Sequence, residues 1–397
     1  MAVCNRLILP EARSALGLAL IIFALSVPAQ AQPASLPYVE YIGNAGPGLG
    51  KRIVFLAGDE EYRSEEGLPM LAQILARRQG FTCTVLFSQD SATGQINPDN
   101  QNRIAGTTLI RKADLVIMLL RFREWSDKDM EPFVAHLNSG KPVIGLRTST
   151  HAFLYEDHPE SPFAKYGMNG KPGYPGGFGR QVLGETWIDH YGAHGSQSTR
   201  GLPRESRKTH PILKGVADIW GPTDVYKVTT LNGDADVLMD GQVLAGMQPG
   251  DAPAQGKVLM PIAWTKTYTG DSGKTCRIFT TTMGASVDLE NEGLRRMIVN
   301  AAFWSLGMEA AIPEKADVTY VSPYVPTPFG MGTYKKGVRP QDFAWSVTGL
   351  SPRMYRQFGG EARFTLWETD ALGRARDIGH MLGPAPFFPR RITWRFP

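Results

Sequence analysis

Between Ala113 and Phe153 the chain reads ADLVIMLLRFREWSDKDMEPFVAHLNSGKPVIGLRTSTHAF. The run from Leu115 to Leu120 is continuously apolar, and its shortness together with its Val and Ile content favours a buried strand. Ser126 suits the N-cap of a helix, because apolar residues follow at the spacing of one helix face. They are Met130, Phe133, Val134 and Leu137. A second apolar run, Pro142 to Leu146, completes a predicted β-α-β unit.

A polar turn, Arg147-Thr148-Ser149-Thr150-His151, follows the second of these strands. Open parallel sheets bind their ligands at the carboxyl ends of their strands. Arg147 is the first polar residue after the strand, and its five donors suit sugar hydroxyls or a carboxylate. We therefore predict that Arg147 contacts a ligand. Arg121 is a further candidate ligand contact.

A polar loop also follows the first predicted strand, Arg52 to Ala57. It runs from Gly58 to Ser64 and reads GDEEYRS. Because it too lies at the carboxyl end of a strand, it contains candidate ligand contacts. They are Asp59, Glu60 and Tyr62. The alternative is electrostatics alone, since acidic residues here, with Glu65 and Glu66, suit the positive N-terminal end of the next helix.

Strands and amphipathic helices alternate along much of the chain. The second strand is predicted at Thr82 to Phe87, and a late strand, Cys276 to Thr281, precedes a helix capped by Asp288. Short β segments are predicted around Val237 to Met247 and Val258 to Thr265. Alternation of this kind is typical of a parallel sheet with helices on both faces. We predict an α/β fold, a three-layer sandwich around a central, mainly parallel sheet.

The composition of the 397 residues is that of a globular protein, with 42% apolar and 20% charged residues. It excludes disorder of the whole chain. A formal net charge of +4, without any Lys/Arg-rich run interleaved with aromatics, argues against nucleic-acid binding.

The N-terminal residues resemble an export signal. Arg6 and Arg13 precede an apolar segment, Ala15 to Val27, and a small-x-small site, Ala29-Gln30-Ala31. We expect residues 1–31 to be a cleaved signal peptide and the protein to be periplasmic or extracellular; the alternative is an uncleaved anchor. No other apolar run is long enough to span a membrane, so no transmembrane segment is expected in the mature chain.

The mature chain is expected to have four regions. Residues 32–50 form a lead-in and residues 51–312 the folded domain. Within the domain, the turn-rich segment Ile212 to Val225 is predicted to line a cleft. Residues 313–344 are rich in Pro and Gly and predict an extended strap across the domain surface, and the Arg-rich residues 345–397 predict a weakly ordered tail.

The mature chain would retain two cysteines, Cys83 and Cys276. Each lies within a predicted strand, which favours two buried thiols; a disulfide between them is the alternative. Two cysteines without a CxxC pair make a cysteine zinc site implausible.

Several long motifs occur together in a fixed order. They are LVIMLLRFREWSDKDM, GKPVIGLRTSTHAF, GETWIDHYGAHG, HPILKGVADIWGPTDVY and FTTTMGASVDLENEGLRRMIVNAAFWSLGM. Together, from Lys51 to about Lys336, they resemble secreted proteins of the ThuA-like (trehalose-utilisation) family. The resemblance implies the flavodoxin-like fold of class I glutamine amidotransferases. It also implies trehalose, related disaccharides or their oxidised derivatives as ligands.

Glutaminase activity is not expected. The turn where those amidotransferases carry a nucleophilic cysteine begins here with Arg147, and the place expected for the later histidine reads Thr282-Met283-Gly284. Without a thiolate and a paired base, acyl transfer from glutamine has no chemistry. Ser149 and Thr150 are alternative nucleophiles, but only His151 is visible as a base, and the other interpretation is that these hydroxyls cap the turn.

His190 and His194 have the His-x₃-His spacing of zinc sites, and Glu185 or His151 could supply a third ligand. Gly192 places the pair in a loop, so a hydrogen-bonded histidine pair is the alternative to bound zinc. Without metal, the candidate acid/base residues form a set that includes histidines able to titrate near neutral pH. They are His151, His190, Glu185 and Asp189.

Aromatic residues are frequent in the loops expected at the cleft. They are Trp125, Tyr155, Trp187, Tyr191 and Trp220. Aromatic faces beside Arg, Asp and His suit a saccharide, and Trp187 and Asp189 are the nearest candidates to the histidines. Two hypotheses follow: a carbohydrate-active enzyme such as a hydrolase or isomerase, or an inactive sugar-binding or protein-interaction module. Oligomeric state does not follow from these patterns.

Overall fold

The computed structural model describes residues 36–345 and the backbone of 361–369 and 375–384. The predicted signal peptide and its uncleaved-anchor alternative therefore lie outside the described residues, as does much of the Arg-rich tail. Among the described helices, none has both the length and the apolar character needed to cross a membrane.

Three α-helices and twelve strands, with short 3₁₀ and π turns between them, make up the regular structure of the described residues. In chain order they are β1 (Tyr38–Ile42), β2 (Arg52–Gly58), α1 (Ser64–Gln79), β3 (Thr82–Phe87), β4 (Leu115–Leu120), α2 (Asp127–Asn138), β5 (Val143–Leu146), β6 (Thr199–Pro203), β7 (Trp220–Gly221), β8 (Asp236–Val243), β9 (Met260–Thr269), β10 (Thr275–Thr281), α3 (Glu292–Ser305), β11 (Glu361–Thr369) and β12 (Ala375–Pro384). β11 and β12 pair with each other as an antiparallel hairpin.

The other ten strands form one sheet in the order β1-β3-β2-β4-β5-β10-β9-β8-β6-β7. Its centre, from β3 to β10, is parallel. β1 and the run β9-β8-β6-β7 add antiparallel strands at the two sides. The sheet as a whole is therefore mixed, and the parallel part that the sequence predicts is its middle.

Alternate residues of the central strands face two separate cores. Ile53 and Phe55 of β2 pack with α1 and α3, whereas Val54 and Leu56 pack with α2 on the other face. This alternation is what a parallel sheet covered on both sides requires. The predicted α/β three-layer sandwich is confirmed.

Two of the helix ends match local signals, and one predicted cap is wrong. Gly80 ends α1 at a φ of 88°, and the Ser126 side chain accepts from the Asp129 N–H at the start of α2. The N-cap of α3 is not Asp288 but Asn291, whose side chain accepts from the Leu294 N–H at 2.9 Å. The Asp288 carboxylate instead accepts from the N–H groups of the preceding turn and from Thr223.

Cys83 and Cys276, the two cysteines among the described residues, are free and buried. Cys83 packs in the core shared with α1 and α3, and Cys276 in the core shared with α2. The two thiols thus face opposite sides of the sheet, which excludes a disulfide between them.

Residues 313–344 have no α-helix or β-strand and run along α1 and the loop that precedes it. Gln79 donates to the Asp317 carbonyl at 2.7 Å, and Glu66 accepts from the N–H and hydroxyl of Thr327. The N–H of Gly330 donates to the carbonyl of Glu61 at 2.9 Å. These contacts bring the segment, the strap of the sequence analysis, to the carboxyl edge of the sheet. The weak order expected for residues 345–397 stays a prediction.

Candidate functional site

Arg147 occupies the centre of the carboxyl edge of the sheet. It begins the 3₁₀ turn Arg147–His151 after β5, at a φ of 40°, and has no exposed surface. Its guanidinium lies between the rings of Tyr62 and Tyr226, 4.5 and 4.2 Å from their centroids. It donates to the carbonyl of Thr282 at 2.9 Å and to the Tyr62 hydroxyl at 3.1 Å. The structure therefore places this predicted ligand contact below the surface, where it connects several strand ends.

Asp224 is the main partner of Arg147. The guanidinium donates to the main-chain oxygen and to Oδ1 of Asp224, each at 2.8 Å. Nδ1 of His190 lies 2.7 Å from Oδ2 of the same carboxylate, and Nδ1 of His194 lies 3.1 Å from Oδ1. Although burial favours the neutral acid, Arg147 and the two imidazoles lower the pKa of Asp224 to about 2. Asp224 is thus an ionised, buried carboxylate that orients two histidines.

The loop that carries the histidines can approach Asp224 because of a glycine. The N–H groups of Tyr191 and Gly192 both donate to the Val225 carbonyl, at 2.8 and 3.0 Å. A Cβ added to Gly192 would lie 3.2 Å from Cβ of Asp224 and 3.3 Å from the Val225 nitrogen. The small residue between the histidines thus allows both rings to reach one carboxylate, with their centroids 4.7 Å apart.

Glu61 adds a second carboxylate. Its Oε1 lies 3.2 Å from Nε2 of His194, and its Oε2 lies 3.6 Å from Nε of Arg121. We call Glu61, His190, His194 and Asp224 the imidazole–carboxylate cluster. About a third of each imidazole side chain is exposed, while Asp224 is fully buried.

The predicted ligand contacts of the first loop are buried in its framework. Oδ1 of Asp59 accepts from the N–H groups of Glu61 and Tyr62 at 2.7 and 2.6 Å, and Oδ2 accepts from the Thr148 hydroxyl. Asp59 therefore links the loop after β2 to the turn after β5. Tyr62, in the same loop, accepts a hydrogen bond from Arg147.

Glu60 pairs with Arg121 and Arg123. Burial raises the pKa of Glu60, an effect that the charge of Arg123 opposes. The structure thus places Glu60 and Arg121 in an ion-pair network beside the cluster.

His151 and Glu185 lie apart from the cluster. The buried ring of His151 packs against Phe122, Trp187 and Tyr226, and burial together with Arg121 lowers the pKa of His151, so the ring is neutral. Oε1 of Glu185 accepts from Arg180 at 2.7 Å and from the Thr186 N–H at 3.0 Å. The carboxylate that contacts both His190 and His194 is Asp224 instead of Glu185. No sequence pattern indicated Asp224 as a site residue.

The hydroxyls of the turn after β5 satisfy the backbone. Ser149 donates to the Met118 carbonyl at 2.9 Å and accepts from the Leu120 N–H at 3.3 Å. Thr150 donates to the Arg147 carbonyl at 3.3 Å, and its hydroxyl lies 3.3 Å from Nδ1 of His151. These contacts favour the capping role over a nucleophilic one.

Four aromatic rings lie around the two histidines; one is Tyr62, whose ring centroid is 6.4 Å from that of His194. The ring centroids of Trp187 and Tyr226 lie 5.6 and 5.7 Å from that of His190. The ring centroid of Phe329 lies 5.4 Å from that of His194. Phe329 belongs to the strap and was not selected from the sequence. Of the other candidate aromatics, Trp125 and Tyr155 are part of the core around α2. Asp189 is exposed and accepts from the His190 N–H at 2.8 Å, which shapes the loop.

Two kinds of chemistry suit this arrangement. His190 is held at Nδ1 by a carboxylate, which leaves Nε2 for proton transfer, whereas both nitrogens of His194 face carboxylates. Two imidazoles and a carboxylate also form a ligand set for a divalent cation, and the ligand atoms of His190, His194 and Asp224 all lie within 4.8 Å of one another.

Comparison with known proteins agrees with the family resemblance. The family model described as ThuA, trehalose utilisation, matches residues 52–305. No curated protein matches the chain. Similar solved structures include a ThuA-like protein from Parabacteroides merdae, with 14% identity and a TM-score of 0.40 over 71% of this chain and 95% of that one. A ThuA-like protein from Bacteroides uniformis has 13% identity and a TM-score of 0.40, over 67% of this chain and 95% of that one.

Proposed function

Because the chain belongs to the ThuA (trehalose utilisation) family, we propose that it is an enzyme that acts on a saccharide at the imidazole–carboxylate cluster. The family suggests a carbohydrate-related role. The observation that carries the proposal is the pair of imidazoles, His190 and His194, that one buried carboxylate orients beside aromatic rings. The substrate class is a disaccharide of the trehalose type or its oxidised derivative.

The surroundings of the cluster support a sugar as ligand. Sugars combine apolar CH faces with a rim of hydroxyls, so they bind where aromatic faces adjoin hydrogen-bonding groups. Trp187 and Phe329, both partly exposed, supply faces on two sides of the histidines. The imidazoles supply hydrogen-bonding groups that are accessible from solvent.

The same site does not support glutamine hydrolysis. The two cysteines that the structure describes belong to strands, Cys83 to β3 and Cys276 to β10, and burial raises the pKa of each thiol. Each thiol belongs to the second residue of its strand, near the amino end and away from the carboxyl edge that carries the histidines. The reaction is therefore one that imidazoles and carboxylates can catalyse without a thioester, such as hydrolysis or isomerisation.

The test is product analysis after incubation of the purified full chain with trehalose, other disaccharides and their 3-keto derivatives. We expect turnover of at least one sugar, loss of that turnover in His190→Ala, and full turnover in His158→Ala. His158 is the matched control because it also pairs with a carboxylate, Glu124, but at the surface and outside the cluster.

Two results would contradict the proposal that the protein is a carbohydrate-active enzyme. A sugar that raises the melting temperature without forming product would favour the alternative of a non-catalytic sugar-binding module. Failure of every sugar to be converted or to raise the melting temperature would remove the saccharide as ligand.

A further inference from the structure

We propose that the imidazole–carboxylate cluster binds one divalent transition-metal ion of the zinc type, with His190, His194 and Asp224 as its protein ligands. The inference rests on the proposed function for its catalytic meaning, since the ion would act on the saccharide bound at the same place. Metal binding itself can be measured without any sugar.

The geometry of the cluster matches a single-ion site. The ligand atoms of the three residues lie within 4.8 Å of one another, and the two imidazole–carboxylate distances are 2.7 and 3.1 Å. In a four-coordinate zinc site with bonds of about 2.0–2.1 Å, neighbouring ligand atoms are roughly 3.3 Å apart. An ion can therefore take the place of the protons that His190 and His194 share with Asp224, with small movements of the two rings.

The donor set also fits. Two imidazoles and one carboxylate are three protein ligands, the number typical of catalytic zinc sites that keep one position for water or substrate. Both imidazole side chains are about one-third exposed, so an ion can enter from solvent. Trp187 lies against His190 and Phe329 against His194, so a sugar bound between these rings would adjoin the ion.

Arg147 does not contact the proposed ion but orients one of its ligands, Asp224. It holds Asp224 through both the carboxylate and the main-chain oxygen, and it is itself fixed by Tyr62 and Thr282. Groups that orient a metal-binding carboxylate in this way typically change metal affinity about 10- to 100-fold when they are altered.

The charge of Arg147 repels a cation, and Glu61 offsets that repulsion. Glu61 lies 3.2 Å from Nε2 of His194, so the cluster has two carboxylates close to the imidazoles. A catalytic ion would polarise a sugar carbonyl or a bound water. Glu61 would support the ion through His194, because it contacts Nε2 of the ring whose Nδ1 faces Asp224.

The test begins with zinc content. The purified full chain is incubated with excess Zn²⁺, dialysed and analysed for bound metal, and its melting temperature is recorded with and without Zn²⁺. We expect about one zinc per chain and a zinc-dependent rise in melting temperature. Both effects should be absent in His190→Ala and His194→Ala and unchanged in His158→Ala. Arg147→Lys should bind zinc about 10- to 100-fold more weakly.

The outcomes separate this inference from the proposed function. No zinc in the wild-type chain, or equal zinc in His190→Ala and wild type, overturns the metal site, whatever the sugar assays give. Turnover that persists after removal of metal by a chelator overturns the catalytic role of the ion, but neither the zinc site itself nor the proposed enzyme. Stoichiometric zinc that the two histidine variants lose supports the metal site even where no sugar is converted.

Discussion

Arg147 and Asp224 are joined twice inside the domain. One guanidinium nitrogen donates to the main-chain oxygen of Asp224 and the other to its carboxylate, each at 2.8 Å, and neither side chain has any exposed surface. A buried ion pair stabilises little compared with an apolar replacement, but removal of one partner leaves an uncompensated charge.

Arg147→Ala should therefore lower the free energy of unfolding by about 3–5 kcal/mol, because Asp224 would remain buried without its cation. Urea denaturation of the purified chain measures this loss. The matched control is Arg111→Ala, which removes an ion pair with Glu131 whose two side chains are each about half exposed. That variant should lose less than about 1 kcal/mol. Equal losses in the two variants would contradict the prediction that breaking the buried pair costs more than breaking the exposed one.

Glu65 should make the protein less stable as the pH rises from about 4.3 to about 8. Burial raises its pKa to about 8, its nearest cation is Arg63 at 3.7 Å, and neither carboxylate oxygen has a hydrogen-bond partner among the described residues. In the unfolded chain the pKa is about 4.3. The stabilising effect of the neutral acid is thus complete below about pH 4.3 and is lost as the pH rises to about 8.

Glu65→Gln cannot ionise, so its melting temperature should gain on that of the wild type as the pH is raised from 5 to 9. Thermal unfolding across this range checks the prediction. A constant difference between the two proteins would mean that Glu65 is already ionised in the fold, as its place at the N-terminal end of α1 first indicated.

His136 should make the protein less stable as the pH falls into the acid range. Its Nε2–H donates to the Pro142 carbonyl at 3.0 Å, and burial lowers the pKa of the ring to about 4. The unfolded chain binds a proton near pH 6.5. The stabilising effect is therefore complete above about pH 6.5 and is lost as the pH falls to about 4.

His136→Gln keeps an N–H donor but no titrating group, so its melting temperature should fall less than that of the wild type between pH 7 and pH 4. His158→Gln, at an exposed position, is the control and should follow the wild type. Parallel curves for all three proteins would contradict the prediction.

Gly179 lies against the turn that carries Arg147. A Cβ at this position would lie 1.8 Å from the carbonyl oxygen of Thr150 and 2.9 Å from Cα of Thr186. Both are backbone atoms, so Gly179→Ala must displace the turn, and we expect a loss of about 1–3 kcal/mol in the free energy of unfolding. Gly250→Ala, where no atom lies within 4 Å of the added Cβ, should be within about 0.5 kcal/mol of the wild type. A neutral Gly179→Ala would show that the turn adapts.

The parts of the fold that depend on local patterns could be predicted from the sequence. The strands β2 to β5 are apolar runs, and α2 has its cap and its apolar face in neighbouring residues. The antiparallel side of the sheet was seen only as short β segments. Its strand order depends on pairings between distant residues, such as Thr199 with Val243, for which the chain has no local signal.

The site shows the same division. The spacing of His190 and His194 indicated a joint role, and the structure brings the two together. Asp224 is 34 residues from His190, and the DIWGPTDVY segment pointed only to a cleft wall. Phe329 reaches His194 from a strap that has no periodic pattern. Asp224 and Phe329 belong to the site only because they contact histidines that are distant in sequence, so only the three-dimensional structure could identify them.

The position of β10 has a consequence for biosynthesis. β10 pairs with β5 on one side and with β9 on the other, so it joins the parallel and antiparallel parts of the sheet. On the ribosome, the edge of β5 that pairs with β10 stays unpaired until residue 281 has left the exit tunnel, and the strap that carries Phe329 is made later still. The nascent chain therefore exposes an unpaired strand edge for much of its synthesis, which is a surface that chaperones bind and that aggregates when unprotected.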